Sequence, residues 1–320
     1  MSESADYTST NWVPSHDFKD ARAAYTSSVV DRSYGKAVAA GVTARDLVPK
    51  TEISIDTPTL AVVCDVTGSM GTWPALMFSK LPYLLHELKS YLGADAKFLV
   101  SAVGDVDGDK YPLQVYPPEA TFDKTKESLT SLVIEGGGGG QTCESYEVAA
   151  AFFLAGIRVA RDQKPVLVFI GDESPYDKVR ASHLAPFGVT IENQSTETLF
   201  AELNNVYDVY LIHKPYGHDD VNSPTTARVK RDWTKLLPPE HLIPLDQPER
   251  VVDVLFGILA WTSGKADVFT KELTDRQTAD QSRKVLTSLN GLYQNAPKVA
   301  GSGKSTFHKL PAGKPSKPLL

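Results

Sequence analysis

Short, almost unbroken apolar runs recur through the middle of the chain, separated by segments with helical spacing. "TLAVVCD" (59–65), "KFLVSAVGD" (97–105), "PVLVFIGD" (165–172), "DVYLIHK" (208–214) and "HLIPL" (241–245) read as strands, the first and third as buried ones. "YPLQVYP" (111–117) reads as one more, so close to the second strand that the two should be antiparallel neighbours. Between them lie helical patterns: "TWPALMFSKLPYLLHELKSYL" (72–92) with a kink at Pro82, "DKTKESLTSLV" (123–133), "CESYEVAAAFFLAGIRVARD" (143–162), "STETLFAELNNV" (195–206) and "PERVVDVLFGILAWT" (248–262). Such alternation predicts an α/β fold: a mostly parallel sheet, one antiparallel strand, and helices on both faces.

The flanks are organised differently. Residues 1–57 form an N-terminal extension, with a helix over "DFKDARAAYTSSVVDRS" (17–33) and a turn-rich stretch behind it that should pack on the main body, residues 58–262. Residues 265–294 have the pattern of one amphipathic helix, so 263–297 form a C-terminal helical segment. Residues 298–320, rich in Gly, Pro, Ser and Lys, are expected to be disordered.

Composition narrows the function. A hydrophobic share of 42% suits a globular core, and a formal net charge of −6 argues against a nucleic-acid binder. The only basic stretch is the tail, with five lysines and no acid, which leaves room for a weak contact with nucleic acid or an acidic partner. No apolar run reaches the roughly 20 residues needed to span a bilayer, so no membrane partner is expected. The opening "MSESADYTSTNWVPSHDF" lacks the basic and apolar regions of a signal peptide. Two cysteines, Cys64 and Cys143, make no disulfide framework and fit a reducing compartment. A cytoplasmic location is expected, or a virion if the chain is phage-encoded.

Candidate chemistry gathers where strands end. In open parallel sheets, ligands bind outside the carboxyl ends of the strands. "CDVTGSM" follows the first strand, and Asp65, Thr67 and Ser69 at i, i+2, i+4 point one way in an extended loop, with Gly68 to let it turn. Thr142 ends the glycine run Gly136–Gly140, and Asp172 follows a later strand in "FIGDES". Two carboxylates and three hydroxyls are hard oxygen donors that suit Mg²⁺, with Mn²⁺ or Ca²⁺ as alternatives. Two carboxylates just neutralise a divalent ion, so an open position would attract an Asp or Glu of a partner protein.

These residues, in this order, resemble the metal-ion-dependent adhesion site of von Willebrand factor A (vWA) domains over roughly residues 58–262. The family pattern is Asp-x-Ser/Thr-x-Ser, a later Thr, and a later Asp. "CDVTGSMG", "GDVDGD", "EGGGGGQTCES" and "IGDES" are further similar to stand-alone vWA proteins of bacteria and phages. The resemblance implies a three-layer Rossmann-like fold and a non-enzymatic adaptor. It implies Mg²⁺ held by Asp65, Thr67, Ser69, Thr142 and Asp172, and a protein partner that for many intracellular members is a MoxR-type AAA+ ATPase. Gly139 and Gly140 would shape the loop beside the ion, and Asp105 and Glu173 would stand just outside the ligands.

Rival readings attach to the same residues. "VVCDVTGS" and "FIGDESPYD" also resemble motifs of the haloacid dehalogenase-like superfamily, which would make Asp65 a phosphorylated nucleophile in a Mg²⁺-dependent phosphohydrolase. That fold needs a flap after the nucleophile and a lysine between the motifs, for which Lys164 is the candidate. A third reading is a structural component of a phage particle or other assembly. "GSGKST" (301–306) lacks the first glycine of a Walker A loop, and "DVDGDK" (105–110) lacks the Gly and Glu of an EF-hand, leaving a solvated turn as its expected form. Thr142 taken alone could cap the next helix.

Overall fold

The computed structural model describes residues 27–81, 84–135, 142–217 and 222–294. Six strands form the central sheet: β1 (Thr59–Asp65), β2 (Lys97–Val103), β3 (Leu113–Val115), β4 (Val166–Gly171), β5 (Asp208–His213) and β6 (Leu242–Pro244). Their order across the sheet is β6-β5-β4-β1-β2-β3. All neighbours are parallel except β3, which pairs antiparallel with β2 through Val103↔Leu113. The short loop from β2 to β3 dictates that reversal, because a parallel return needs a crossover of a dozen residues or more.

The ten principal helices are α1 (Ser27–Ala39), α2 (Trp73–Lys80), α3 (Leu84–Leu92), α4 (Phe122–Ser131), α5 (Tyr146–Ala155), α6 (Thr196–Val206), α7 (Pro224–Trp233), α8 (Val251–Thr262), α9 (Ala266–Arg276) and α10 (Ala279–Gln294). Alternate strand residues face opposite ways, and the two cores follow from that. Leu60, Val62 and Cys64 of β1 join Val168 and Ile170 of β4 against α2, α3 and α8 to α10. Ala61 and Val63 join Leu167 and Phe169 against α5, α6 and α7. The fold is therefore a three-layer, Rossmann-like α/β sandwich with one antiparallel edge strand. Each apolar run in the sequence is apolar because both of its faces are covered.

Four local readings need correction. The helix expected over 143–162 is only α5: Cys143–Glu144 is a short strand paired in parallel with Ser174–Pro175, and Ile157–Val159 is a strand paired with Ile53–Ile55. Gly156 ends the helix so tightly that a Cβ would sit 2.9 Å from both Phe152 O and Val189 Cγ2. The helix expected over 265–294 is two, α9 and α10. Thr278 and Gln281 form a reciprocal cap, Thr278 N donating to Gln281 Oε1 (3.0 Å) and Gln281 N to Thr278 Oγ1 (3.3 Å), which starts α10 afresh. Helix α7 had no counterpart in the sequence reading, although Ser223 and Pro224 mark its start. Ser223 Oγ accepts from Thr226 N at 3.1 Å, and proline suits the first turn. The left-handed backbone after β1 falls at Gly71 (φ 56°), not at Gly68.

Pro82, Gly139, Gly140, residues 1–26 and the 298–320 tail lie outside the described residues. Among the described residues, no helix is long and apolar enough to cross a membrane.

Candidate functional site

The strand order reverses between β1 and β4, the place where open α/β sheets bind ligands outside the carboxyl ends of their strands. Asp65 is the last residue of β1, and Asp172 follows the last residue of β4. Both are fully buried. Hydroxyls of the loop after β1 bond to each of them and lie against one another. Asp65 Oδ1 accepts from Thr67 N (2.9 Å) and Thr67 Oγ1 (2.6 Å), Thr67 Oγ1 lies 3.3 Å from Ser69 Oγ, and Ser69 Oγ donates to Asp172 Oδ1 (2.8 Å). Asp65, Thr67, Ser69 and Asp172, four of the five residues expected to act together, therefore lie within one set of contacts.

Thr142 is placed differently. It precedes the Cys143–Glu144 strand, whose pairing with Ser174–Pro175 sets the 142 loop alongside the 172 loop. Its hydroxyl accepts from Arg228 Nη2 of α7, apart from the contacts among Asp65, Thr67, Ser69 and Asp172. It is not the helix cap either, because α5 starts at Tyr146 with Ser145 before it.

Three residues at this edge were not singled out in the sequence. Tyr146 donates its hydroxyl to Asp65 Oδ2 at 2.5 Å from the first position of α5. Gly171 makes this reach feasible: a Cβ there would stand 1.8 Å from the Tyr146 hydroxyl oxygen. Lys214, directly after β5, donates to Asp172 Oδ2 (2.7 Å), Ser69 O (3.1 Å), Pro215 O (2.9 Å) and Gly217 O (2.7 Å). Gly217 N also donates to Asp172 Oδ2, at 2.8 Å. Lys214 directly follows β5, and so lies at the same strand ends as the two aspartates.

Further acids crowd the edge. Asp105, in the turn after β2, is buried rather than solvated as expected: its Oδ1 accepts from Asp107 N (3.1 Å), Tyr176 OH (3.2 Å) and Ser145 Oγ (3.4 Å). Asp109 Oδ2 closes the same turn on Asp105 N at 2.7 Å. Glu144, Glu147 and Glu173 are buried too, and each keeps one carboxylate oxygen without a hydrogen-bond partner among the described residues. Burial, and then the charge of Asp172, push the Asp65 carboxyl up to about 7 against the pull of its hydrogen bonds. Burial, then Asp65 and Asp172, push Glu173 to about 8, and burial pushes Glu147 to about 8. For Glu144, burial followed by Asp65 and Glu173 raises the value to about 11.

The donor set fits a small hard cation. Carboxylate and hydroxyl oxygens converge from Asp65, Thr67, Ser69 and Asp172, with Thr142 on the adjoining loop. Glu144 and Glu173, with their orphaned oxygens and raised values, are protonated at pH 7, so the charge an ion would meet is that of Asp65 and Asp172, offset in part by Lys214. Among the described residues, no group of three or more His, Cys, Asp and Glu side chains is arranged around a metal position, so the two aspartates and the hydroxyls are what such an ion would use. Lys164, the lysine considered for phosphoryl chemistry, pairs with Asp208 at 2.7 Å, at the start of β5 and hence at the opposite edge of the sheet.

His213, the last residue of β5, gives the edge a measurable response to acid. It is buried, its Nε2 has no partner among the described residues, and burial, then Lys230 and Lys214, lower its pKa from 6.5 to about 4. Above pH 6.5 the ring is neutral in both folded and unfolded chains. Between 6.5 and 4 the unfolded chain takes up a proton that the fold rejects, so stability falls as pH falls. Relative to His213→Gln, the wild type is expected to lose about 3 kcal/mol across that window. Urea denaturation of both proteins at several pH values measures it; parallel pH profiles would count against it.

No family model matches the sequence, and no curated protein matches it. Similar shapes occur among solved structures. The pilus adhesin SpaC of Lactobacillus rhamnosus GG, in its open conformation, is 11% identical with a TM-score of 0.46 over 69% of this chain and 31% of its own. Proximal thread matrix protein 1 from the mussel byssus is 11% identical, with a TM-score of 0.44 over 65% of this chain and 49% of its own. A von Willebrand factor type A protein from Catenulispora acidiphila is 14% identical, with a TM-score of 0.41 over 65% of this chain and 43% of its own. The chain thus spans about a third to a half of these proteins. None of these likenesses is strong enough to transfer a function.

Proposed function

We propose that this chain is a vWA-type, metal-dependent protein-binding module and not an enzyme. Asp65, Thr67, Ser69, Thr142 and Asp172 would hold Mg²⁺, or Mn²⁺ or Ca²⁺ in its place, some of them through water. The bound ion would supply a position for the Asp or Glu of a partner, a MoxR-type AAA+ ATPase being the first to test. A cytoplasmic or virion setting suits this role equally. The supporting observation is that Thr67 and Ser69, two residues apart in the loop after β1, donate their hydroxyls to the buried carboxylates of Asp65 and Asp172 at the point where the strand order reverses. Hydroxyls that bond to two buried carboxylates in this way are already positioned as oxygen ligands.

One observation favours the phosphohydrolase reading: Lys214 puts a cation beside the two aspartates. Against it, Lys164, the lysine that reading considered, pairs with Asp208 at the opposite edge of the sheet. A single helical turn, Gly68–Met70, leads from β1 to α2, with no hairpin flap between them.

The deciding experiment is a lysate pull-down with tagged full-length protein in Mg²⁺ and in EDTA, with Asp65→Asn alongside and thermal melts on both proteins. The expected result is a partner retained only by wild type in Mg²⁺. A partner retained equally in EDTA, or turnover of a generic phosphoester that Asp65→Asn abolishes, would overturn the adaptor reading.

A further inference from the structure

We propose that Lys214 sets the electrophilicity of the metal site. Its ammonium, locked on Asp172, cancels one carboxylate charge, so that a bound divalent ion keeps positive charge for an external carboxylate. This inference rests on the metal-dependent reading above and goes beyond it by assigning control of the site to a residue outside the ligand pattern.

The geometry supports the assignment at three points. Lys214 is only 4% exposed, and its Nζ is held by three carbonyl oxygens, Ser69 O, Pro215 O and Gly217 O, as well as by the carboxylate. An ammonium in such a cage does not swing out to solvent when a second cation arrives. Gly217, at φ 52°, turns the chain so that its own N–H reaches the same carboxylate oxygen as the lysine. With Lys214 and Gly217 N both on Oδ2, Asp172 is left with Oδ1, the oxygen that receives Ser69, as its face toward the other ligands. Lys214 therefore selects which oxygen is offered as well as removing a charge.

The charge balance gives the consequence. Two ionised carboxylates alone just neutralise a divalent ion, so that the open position attracts a third carboxylate with no net charge behind it. With Lys214 fixed in place, the loaded site carries one positive charge in excess, in a buried setting where water screens poorly. The ion is bound less tightly than two aspartates would otherwise hold it, and an incoming carboxylate is bound more tightly. Arg228, donating to Thr142, adds a second fixed cation on the same rim.

The test uses the full chain, with the metal alone and acetate as probes. Calorimetry with Mg²⁺ on wild type, Lys214→Gln and Lys214→Met should show the variants binding Mg²⁺ about tenfold or more tightly than wild type, because a nearby positive charge has gone. Acetate added to the Mg²⁺-saturated proteins should bind the variants more weakly by a comparable factor. Unchanged or weaker Mg²⁺ affinity in a variant with a normal thermal melt overturns the proposal. If neither variant folds, the wild type still decides: the ¹⁵Nζ resonance of Lys214 should move as Mg²⁺ saturates the site, and saturation without movement overturns the proposal. No Mg²⁺ binding by any of the proteins would instead sink the metal-dependent reading itself, and this proposal with it.

Discussion

Gly171→Ala is expected to destabilise the protein by about 3–5 kcal/mol, the sum of an overpacking cost and a lost buried hydrogen bond. The new methyl carbon would sit 1.8 Å from the Tyr146 hydroxyl oxygen and 2.7 Å from its Cζ. The ring is confined by Phe169 and Trp233, with centroids 6.3 Å and 5.3 Å away, so it has little room to retreat. Displacement would break its hydrogen bond to Asp65 Oδ2 and leave that buried oxygen unpaired. Tyr146→Phe in the same background should restore part of the loss, since it removes the oxygen but not the ring carbons. Urea unfolding of the three proteins measures both effects. An alanine cost below about 1 kcal/mol would show that the tyrosine is not held as described.

Asp172→Ala is the second change with a large expected cost, about 3–5 kcal/mol, because it leaves the Lys214 ammonium buried without its carboxylate. Its side chain is 6% exposed and that of Asp172 is fully buried, so water cannot take the carboxylate's place. Adding Lys214→Met should recover most of the loss, because removing both charges is far cheaper than removing one. Costs that simply add in the double variant would contradict the pairing. The expectation also bears on binding experiments: lost partner capture by Asp172→Ala is informative only with its thermal melt beside it.

The sheet was legible because its strands are buried on both faces. A run such as "TLAVVCD" can hardly be anything but a central strand when Leu60, Val62 and Cys64 face one core and Ala61 and Val63 the other. The site was legible in part for a related reason. Asp65, Thr67 and Ser69 are close in sequence, and Asp172 is marked by the strand end before it. Tyr146 and Lys214 were not legible as partners, because their roles depend on which strand lies beside which, and spacing carries no such information. Helix ends were the weakest point. The α9–α10 break depends on a side-chain cap between Thr278 and Gln281, and the end of α5 on the close approach of Val189 to Gly156. In both places a tertiary or side-chain contact overrides an apolar periodicity that continues through the boundary.

The pairing of β1 with β4 has a consequence for how the protein comes to exist. Ser69 and Asp172, which are hydrogen-bonded to each other, are 103 residues apart, and the strands that present them are direct neighbours at the centre of the sheet. During synthesis, β1, β2 and β3 emerge with one edge of β1 unpaired until β4 leaves the ribosome. Long-range parallel pairing of this kind forms slowly and exposes strand edges while it waits. The contact between Ser69 and Asp172 therefore cannot form in a chain cut short before β4.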